Sequence, residues 1–146
     1  MAKIPKKLQS QIDNAYENEY EVPMIGIALP DGYVNITPRG STQVYDDDHI
    51  SLWERGKGST TDNLKDGSKV TVFFRKPDLR TTILPKGAVA RLYGTAKVHK
   101  SGPVYDQVWE RLIKPEKDRD PDKKGFAVLI KIDRAEDLSG DPLKLD

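Results

Sequence analysis

Residues 88–100, AVARLYGTAKVHK, constrain the fold more than any other stretch of the chain. Apolar and polar side chains alternate along it, which is the period of a strand and not of a helix. Gly94 stands in its middle. A glycine inside a strand marks a bulge, a bend or the close approach of another backbone. A long strand that coils sharply at a glycine is what a sheet needs in order to curl into a barrel.

The remaining segments are shorter and fit that picture. MIGIALPDGYVNITP reads as a hairpin, with a strand over 24–29, a turn at Pro30-Asp31-Gly32 and a return over 33–37. Gly26 in its first strand suggests a bend or a close approach. STQVYDDDHISLWE repeats the pattern, and Asp46, Asp47 and Asp48 read as a solvated turn, not a cation site. His49 then opens the next strand. KVTVFFRK is rich in β-branched and aromatic residues, RTTIL reads as a short strand after Pro77-Asp78, and GFAVLIKIDRAEDLS as a final strand with a near-continuous apolar core.

Two stretches have helical spacing. Over 5–19, Pro5 suits the first turn, and Leu8, Ile12, Ala15 and Tyr16 share a face. In GPVYDQVWERLIK, Val104, Val108, Trp109 and Leu112 do the same. A short helix is expected over 60–65, with Ser59 and Asp62 at capping-box spacing. KPEKDRDPDKK reads as a solvated charged loop, and the tail over 137–146 as a loose end. About seven strands, mostly joined by tight turns, favour antiparallel pairing. The expectation is one mainly-β domain over residues 1–146, an antiparallel barrel, closed or partly closed, with a few short helices.

Composition removes several functions. Twenty-four basic and 23 acidic residues leave a net charge of +1, which argues against nucleic acid or an anionic membrane as the main partner. With no cysteine, thiol catalysis and thiolate metal sites are excluded. Two histidines and no nucleophile–histidine–carboxylate pattern make hydrolysis a poor fit. No apolar run approaches the roughly 20 residues of a membrane span, so a soluble, cytoplasmic protein is expected.

SLWERGKGSTTDNL, residues 51–64, carries the chemistry. An apolar strand ends at Trp53 and Glu54. Arg55 and Lys57 follow among glycines, and then Ser59, Thr60, Thr61 and Asn63 where a helix begins. Glycines admit a ligand close to the backbone, and the first turn of a helix offers unpaired N–H donors and partial positive charge. Together these describe a phosphate cradle, although R-G-K-G also suits a plain exposed turn with Ser59 capping the helix. It is neither a Walker loop nor G-x-G-x-x-G. Neighbouring strands lie about 5 Å apart, close enough for Arg39 and Ser41 of NITPRGST to face the same pocket. Pro38-Arg39-Gly40 equally reads as a bulge with Arg39 in solvent.

Taken together, GYVNITPRGS, the aspartate-rich turn, HISLWERGKGSTTDNL, KVTVFF and RLYGTAKV resemble the pyridoxamine 5′-phosphate oxidase-like family of FMN-binding split barrels. The resemblance covers residues 8–98 well and the last strand loosely. It implies a split β-barrel homodimer with FMN in grooves at the subunit interface. Carried over, it puts Ser59, Thr60, Thr61 and Asn63 near the phosphate with charge from Arg55 or Lys57. The backbone of Trp53 and Glu54 would edge the flavin ring, and Arg39 and Ser41 would touch the flavin from the neighbouring strand. Arg91 and Trp109 are assigned to the partner's side, Trp109 with core packing as its competing role. Two departures stand out. Ser59-Thr60 occupies the place of the oxidase's Arg-Lys pair, and the oxidase's C-terminal substrate segment has no counterpart after Asp133. Pyridoxamine phosphate oxidation is therefore not expected.

Several readings follow. The first is an FMN-dependent oxidoreductase acting on an unnamed small substrate, with NADH, NADPH or another small molecule as electron donor. The second is a flavin carrier or storage protein without dedicated catalysis. The third is the same barrel holding the deazaflavin F420, or haem with His49 or His99 as axial ligand. The last is a barrel whose loops are merely loops.

Overall fold

The computed structural model describes residues 2–17, 21–56 and 58–145. Seven strands form a single antiparallel sheet: β1 (Met24–Ala28), β2 (Val34–Pro38), β3 (Gln43–Asp46), β4 (His49–Glu54), β5 (Lys69–Arg75), β6 (Val89–His99) and β7 (Phe126–Glu136). Their order across the sheet is β2-β1-β5-β6-β7-β4-β3. The two edge strands are consecutive in the chain. In a flat sheet their six spacings would hold them about 29 Å apart, whereas the link 39–42 between them reaches at most about 18 Å. The sheet must curl until its edges nearly meet, which is a split barrel.

Gly94 marks the irregular point of the β6–β7 pair. The β6–β7 register shifts between Tyr93 and Gly94. A Cβ on Gly94 would lie 2.5 Å from both the Lys131 carbonyl oxygen and Ile130 Cγ2. Only a residue without a side chain lets the two long strands come so close. Gly26 behaves differently. Its nearest neighbours would be 3.9 Å from an added Cβ, so it neither bends the strand nor is crowded, and it opens a shallow floor on the outer face of the sheet.

Strand alternation sends Ile25, Ile27, Val70, Val72, Phe74 and Leu92 into the barrel, all of them buried. Helix α1 (Lys6–Asp13) contributes buried Leu8 and Ile12 to the same core. It is shorter than the expected 5–19. Pro5 takes the cap position, and the chain passes into a 3-10 turn over Ala15–Glu17. Residues 18–20 of that expectation lie outside the described residues. Helix α2 (Ser59–Asn63) follows β4 and packs on β2 at the split. Helices α3 (Pro103–Arg111) and α4 (Lys114–Asp118) fill the β6–β7 connection. A satellite core of Trp53, Val108, Leu112 and Ala127, with Tyr105 and Trp109 against it, joins α3 to the sheet.

Three segments differ from expectation. RTTIL is no strand: Pro77–Thr81 forms a 3-10 helix, and Leu79 and Leu84 are buried by local turns. Pro77 favours this, because it fixes φ for a helical start and donates no N–H to a ladder. The charged stretch 114–124 is more than a solvated loop, since α4 begins it and Glu116 and Asp120 are buried. Their carboxylates are hydrogen-bonded, which removes the cost of burying them bare. The tail also turns back: the Leu143 amide donates to the Ala135 carbonyl at 3.1 Å, and its side chain packs on the main core. Among the described residues no helix is long and apolar enough to cross a membrane.

Candidate functional site

Buried Glu54, at the end of β4, organises the corner where β2, β4 and α2 meet. Its side chain is 2 % exposed. Arg39 donates to it through Nε at 2.7 Å and Nη2 at 3.4 Å, and Thr61 through its hydroxyl at 2.8 Å. One carboxylate thereby ties the β2–β3 corner and the start of α2 to the end of β4. Ser41 strengthens the tie: its buried hydroxyl donates to the Trp53 carbonyl at 3.2 Å and accepts from the Trp53 amide at 3.0 Å.

The hydroxyls of α2 divide into two groups. Thr60 is buried and donates to Asn35 Oδ1 at 2.7 Å, which also accepts from Thr37 at 2.9 Å. Thr60 and Thr61 are therefore engaged in fastening α2 to the sheet. Ser59 accepts from Asn35 Nδ2 at 3.2 Å, which leaves its own proton as a donor. It does not cap the helix. Gly58 holds the cap position at φ 91°, and Ser59 is the first helical residue. A positive φ of that size suits glycine. Asn63 donates back to the Ser59 carbonyl at 2.8 Å. Asn35 and Thr37 are the residues the sequence reading missed. Their alternation with Val34 and Ile36 on β2 is the signal that places them on the α2 side.

Arg55 is exposed and makes no hydrogen bond or ion pair among the described residues, although its charge favours ionised Asp120. Lys57 lies outside the described residues. The Trp53 ring faces away from α2 into the satellite core, with centroids 5.1 Å from Tyr105 and 5.0 Å from Trp109. Its indole N–H donates to Asp120 at 2.8 Å. Burial pushes the Asp120 carboxyl up, but this indole and the Lys124 and Gly125 amides outweigh it and hold its pKa below the ordinary value. Gly125 has no room for a side chain, since a Cβ there would lie 2.2 Å from the Glu54 carbonyl oxygen.

Arg91 and Trp109 stand apart from the corner. Trp109 belongs to the satellite core. Arg91 lies on the outer face of the sheet, donates to the Asp137 carbonyl at 3.1 Å, and lines an open groove of about 830 Å³. Strand register lays out the groove wall, with Ile36, Gly26, Thr71 and Tyr93 side by side and Met24, Phe73 and Arg91 in the next row. The two histidines differ. His49 sits between the carboxylates of Asp46 and Asp48 at 2.8 and 2.7 Å, while His99 Nε2 is buried without a hydrogen-bond partner among the described residues.

Chemically the corner suits oxygen atoms carrying negative charge. The first-turn amides of α2 have no intrahelical acceptor, Ser59 keeps a proton to donate, and Arg55 supplies charge. These groups suit a phosphate, but the Thr60 and Thr61 hydroxyls, expected among its donors together with the amides, are engaged with Asn35 and Glu54.

No family model matches the chain, and no curated protein sequence does. Solved structures do match. The chain is similar to HupZ of Group A Streptococcus, at 22% identity over 97% of this chain and 98% of that one, with a TM-score of 0.71. An FMN-binding protein from Syntrophomonas wolfei matches at 17% identity over 97% and 89%, TM-score 0.60. A Clostridium acetobutylicum protein related to general stress protein 26, of the pyridoxinephosphate oxidase family, matches at 16% identity over 90% and 88%, TM-score 0.59. This chain therefore has the fold of the pyridoxamine 5′-phosphate oxidase-like split barrels.

Proposed function

We propose that this chain is an FMN-binding protein, that it works as a homodimer in the cytoplasm, and that it is an FMN-dependent oxidoreductase acting on a small substrate. The observation that carries the reading is the Glu54 corner: Asn35 and Glu54 fasten the first turn of α2, the Ser59 hydroxyl there keeps a proton to donate, and Arg55 precedes that turn by four residues, in a fold shared with an FMN-binding protein. In this reading the amides of 59–61, Ser59 and Arg55 hold the phosphate, and Glu54 holds those donors in place. Bound flavin would supply the electron chemistry. The chain's own task is to bind and orient it and to exclude water.

The dimer is supported by the outer face of the sheet. Val34 and Ile36 are 62% and 64% exposed on the edge strand and line the groove, and Tyr33 just before that strand is 75% exposed. Apolar side chains in such numbers mark a surface to be covered, and a second copy of the same face would cover it.

The test is the visible spectrum and solution mass of the purified protein after addition of FMN and, separately, riboflavin. A flavin spectrum retained at dimer mass, with riboflavin binding more weakly, is the expected result. Equal binding of riboflavin overturns the phosphate assignment. A deazaflavin or haem spectrum from the purified protein replaces FMN as the cofactor. Rapid reduction of the bound flavin by NADH or NADPH marks an enzyme, and its absence marks a carrier.

A further inference from the structure

The turn between β3 and β4 brings together the two kinds of metal ligand that a chain without cysteine has, carboxylate and imidazole. Along the sequence, Asp46, Asp47 and Asp48 suit a solvated turn. The fold separates them. Asp47 serves the N-terminal segment: the Ile4 amide donates to its carbonyl at 2.6 Å, Gln9 Nε2 donates to its carboxylate at 3.2 Å, and Lys6 pairs with the same carboxylate. Asp46 and Asp48 serve His49, which the strand register sets opposite Asp46.

Three donor atoms converge there. His49 Nδ1 lies 2.8 Å from Asp46 Oδ1 and 2.7 Å from Asp48 Oδ1, and all three atoms stand within 4.8 Å of one another. The nitrogen distinguishes this cluster from an acidic turn. Oxygen ligands alone suit calcium or magnesium, whereas an imidazole favours transition ions. In a tetrahedral zinc site, bonds of about 2.0–2.1 Å put neighbouring donors about 3.3 Å apart, so a shift of about half an ångström at each carboxylate makes room for an ion. His49 and Asp48 are each 23% exposed and Asp46 is 48% exposed, which leaves water free to complete the coordination.

Charge agrees with this. Lys6 is committed to Asp47, and Lys131, opposite His49 on β7, is exposed and pairs with neither Asp46 nor Asp48. Two carboxylates with a neutral imidazole carry two negative charges, which one divalent ion cancels. The backbone of the turn is held from two sides, by the Ile4 amide on the Asp47 carbonyl and by the Ile132 amide on the Asp48 carbonyl at 2.8 Å. A ligand therefore meets a turn that is already ordered.

We propose that Asp46, Asp48 and His49 bind a divalent transition-metal ion of the zinc class, and that the ion clamps the β3–β4 turn on which the start of α1 rests. The site lies at the opposite end of β4 from Glu54, and it does not depend on the FMN reading.

The experiment titrates the full chain, free of any affinity tag, with zinc chloride and separately with magnesium chloride in a calorimeter. Wild type, His49→Gln and Asp48→Asn are compared, and amide hydrogen exchange over residues 4–13 is followed in the same samples. Both substitutions fall on a partly exposed turn, and far-UV circular dichroism verifies the fold; either variant that folds suffices. Wild type is expected to bind one zinc ion per chain, at least tenfold more tightly than magnesium, with slower exchange over 4–13. Each variant should lose at least tenfold in zinc affinity and show no slowing. The site is overturned if wild type shows no saturable zinc binding, if a folded variant keeps the wild-type affinity, or if magnesium binds as tightly as zinc. If zinc binding depends on both residues while exchange over 4–13 is unchanged, the site stands and the clamp is overturned.

Discussion

At the scale of single residues, the Glu54 corner separates hydroxyls that hold the fold from donors that remain open. Thr60→Val keeps the shape but leaves Asn35 Oδ1, half-buried, with Thr37 as its one remaining donor. It is expected to cost about 1–2 kcal/mol, read as a lower urea midpoint, whereas Ser59→Ala changes stability little and weakens FMN binding. Asp120 makes a second residue-scale prediction. Its folded-state pKa lies below the unfolded value, so the native state holds its proton less tightly than the unfolded chain does. The stability it contributes is fully present above the unfolded value of about 3.9 and is lost as pH falls through the lower folded value. Asp120→Asn should flatten that part of the acid-unfolding curve, followed by tryptophan emission, since Trp53 donates to this carboxylate.

At the scale of elements, the β6–β7 pair decides whether the sheet can close. Gly94→Ala pushes a methyl group into the Lys131 backbone and the Ile130 side chain. Backbone cannot step aside as a flexible side chain can, so a loss of about 1–3 kcal/mol is expected, measured by thermal melting. Helix α2 shows the complementary case. Over Ser59–Asn63 it is too short to be stable by itself, and it persists because Asn35, Thr37 and Glu54 hold its first turn. The same dependence makes Glu54→Gln a variant that loosens α2. Its amides should exchange hydrogen faster while those of β5 keep their protection.

For the molecule as a whole, the sheet has one face committed to the barrel core and another whose groove sets Met24, Ala28, Val34, Ile36 and Phe73 beside Lys69, Thr71 and Arg91. Ile36→Lys places a charge in the middle of that face, far from the Glu54 corner on the opposite side of β2. In the proposed homodimer it should halve the solution mass measured by ultracentrifugation and leave the melting temperature of the monomer nearly unchanged. Retention of the dimer mass would move the interface elsewhere on the surface. The insertion that carries α3 and α4 belongs to this scale as well, because Asp120 accepts from Trp53 at the β4 end and Arg119 donates to Tyr16 near the N-terminus.

Strand identity was legible in the sequence wherever one face is buried. Alternation in KVTVFFR and RLYGTAKV, turn residues between the strands and the single glycine in the longest one are local properties, and they survive into the fold because period 2 leaves no other face to bury. The loop after β4 was legible for the same local reason, since glycines and a helix start are adjacent in the chain. Long-range pairing was not legible. That RTTIL would bury its leucines by turning and not by extending depends on what lies beneath it. That Asp120 would be buried depends on Trp53, 67 residues away, whereas the Lys124 and Gly125 amides and the Arg119–Glu116 pair are local. Sequence therefore determined the seven strands and most of the turns between them, each set by neighbours along the chain. Only the tertiary structure decided which hydroxyls are engaged, that β2 presents Asn35 to α2 and Ile36 outward, and that Arg119 reaches Tyr16, because charge pairing and burial act between residues that the chain keeps far apart.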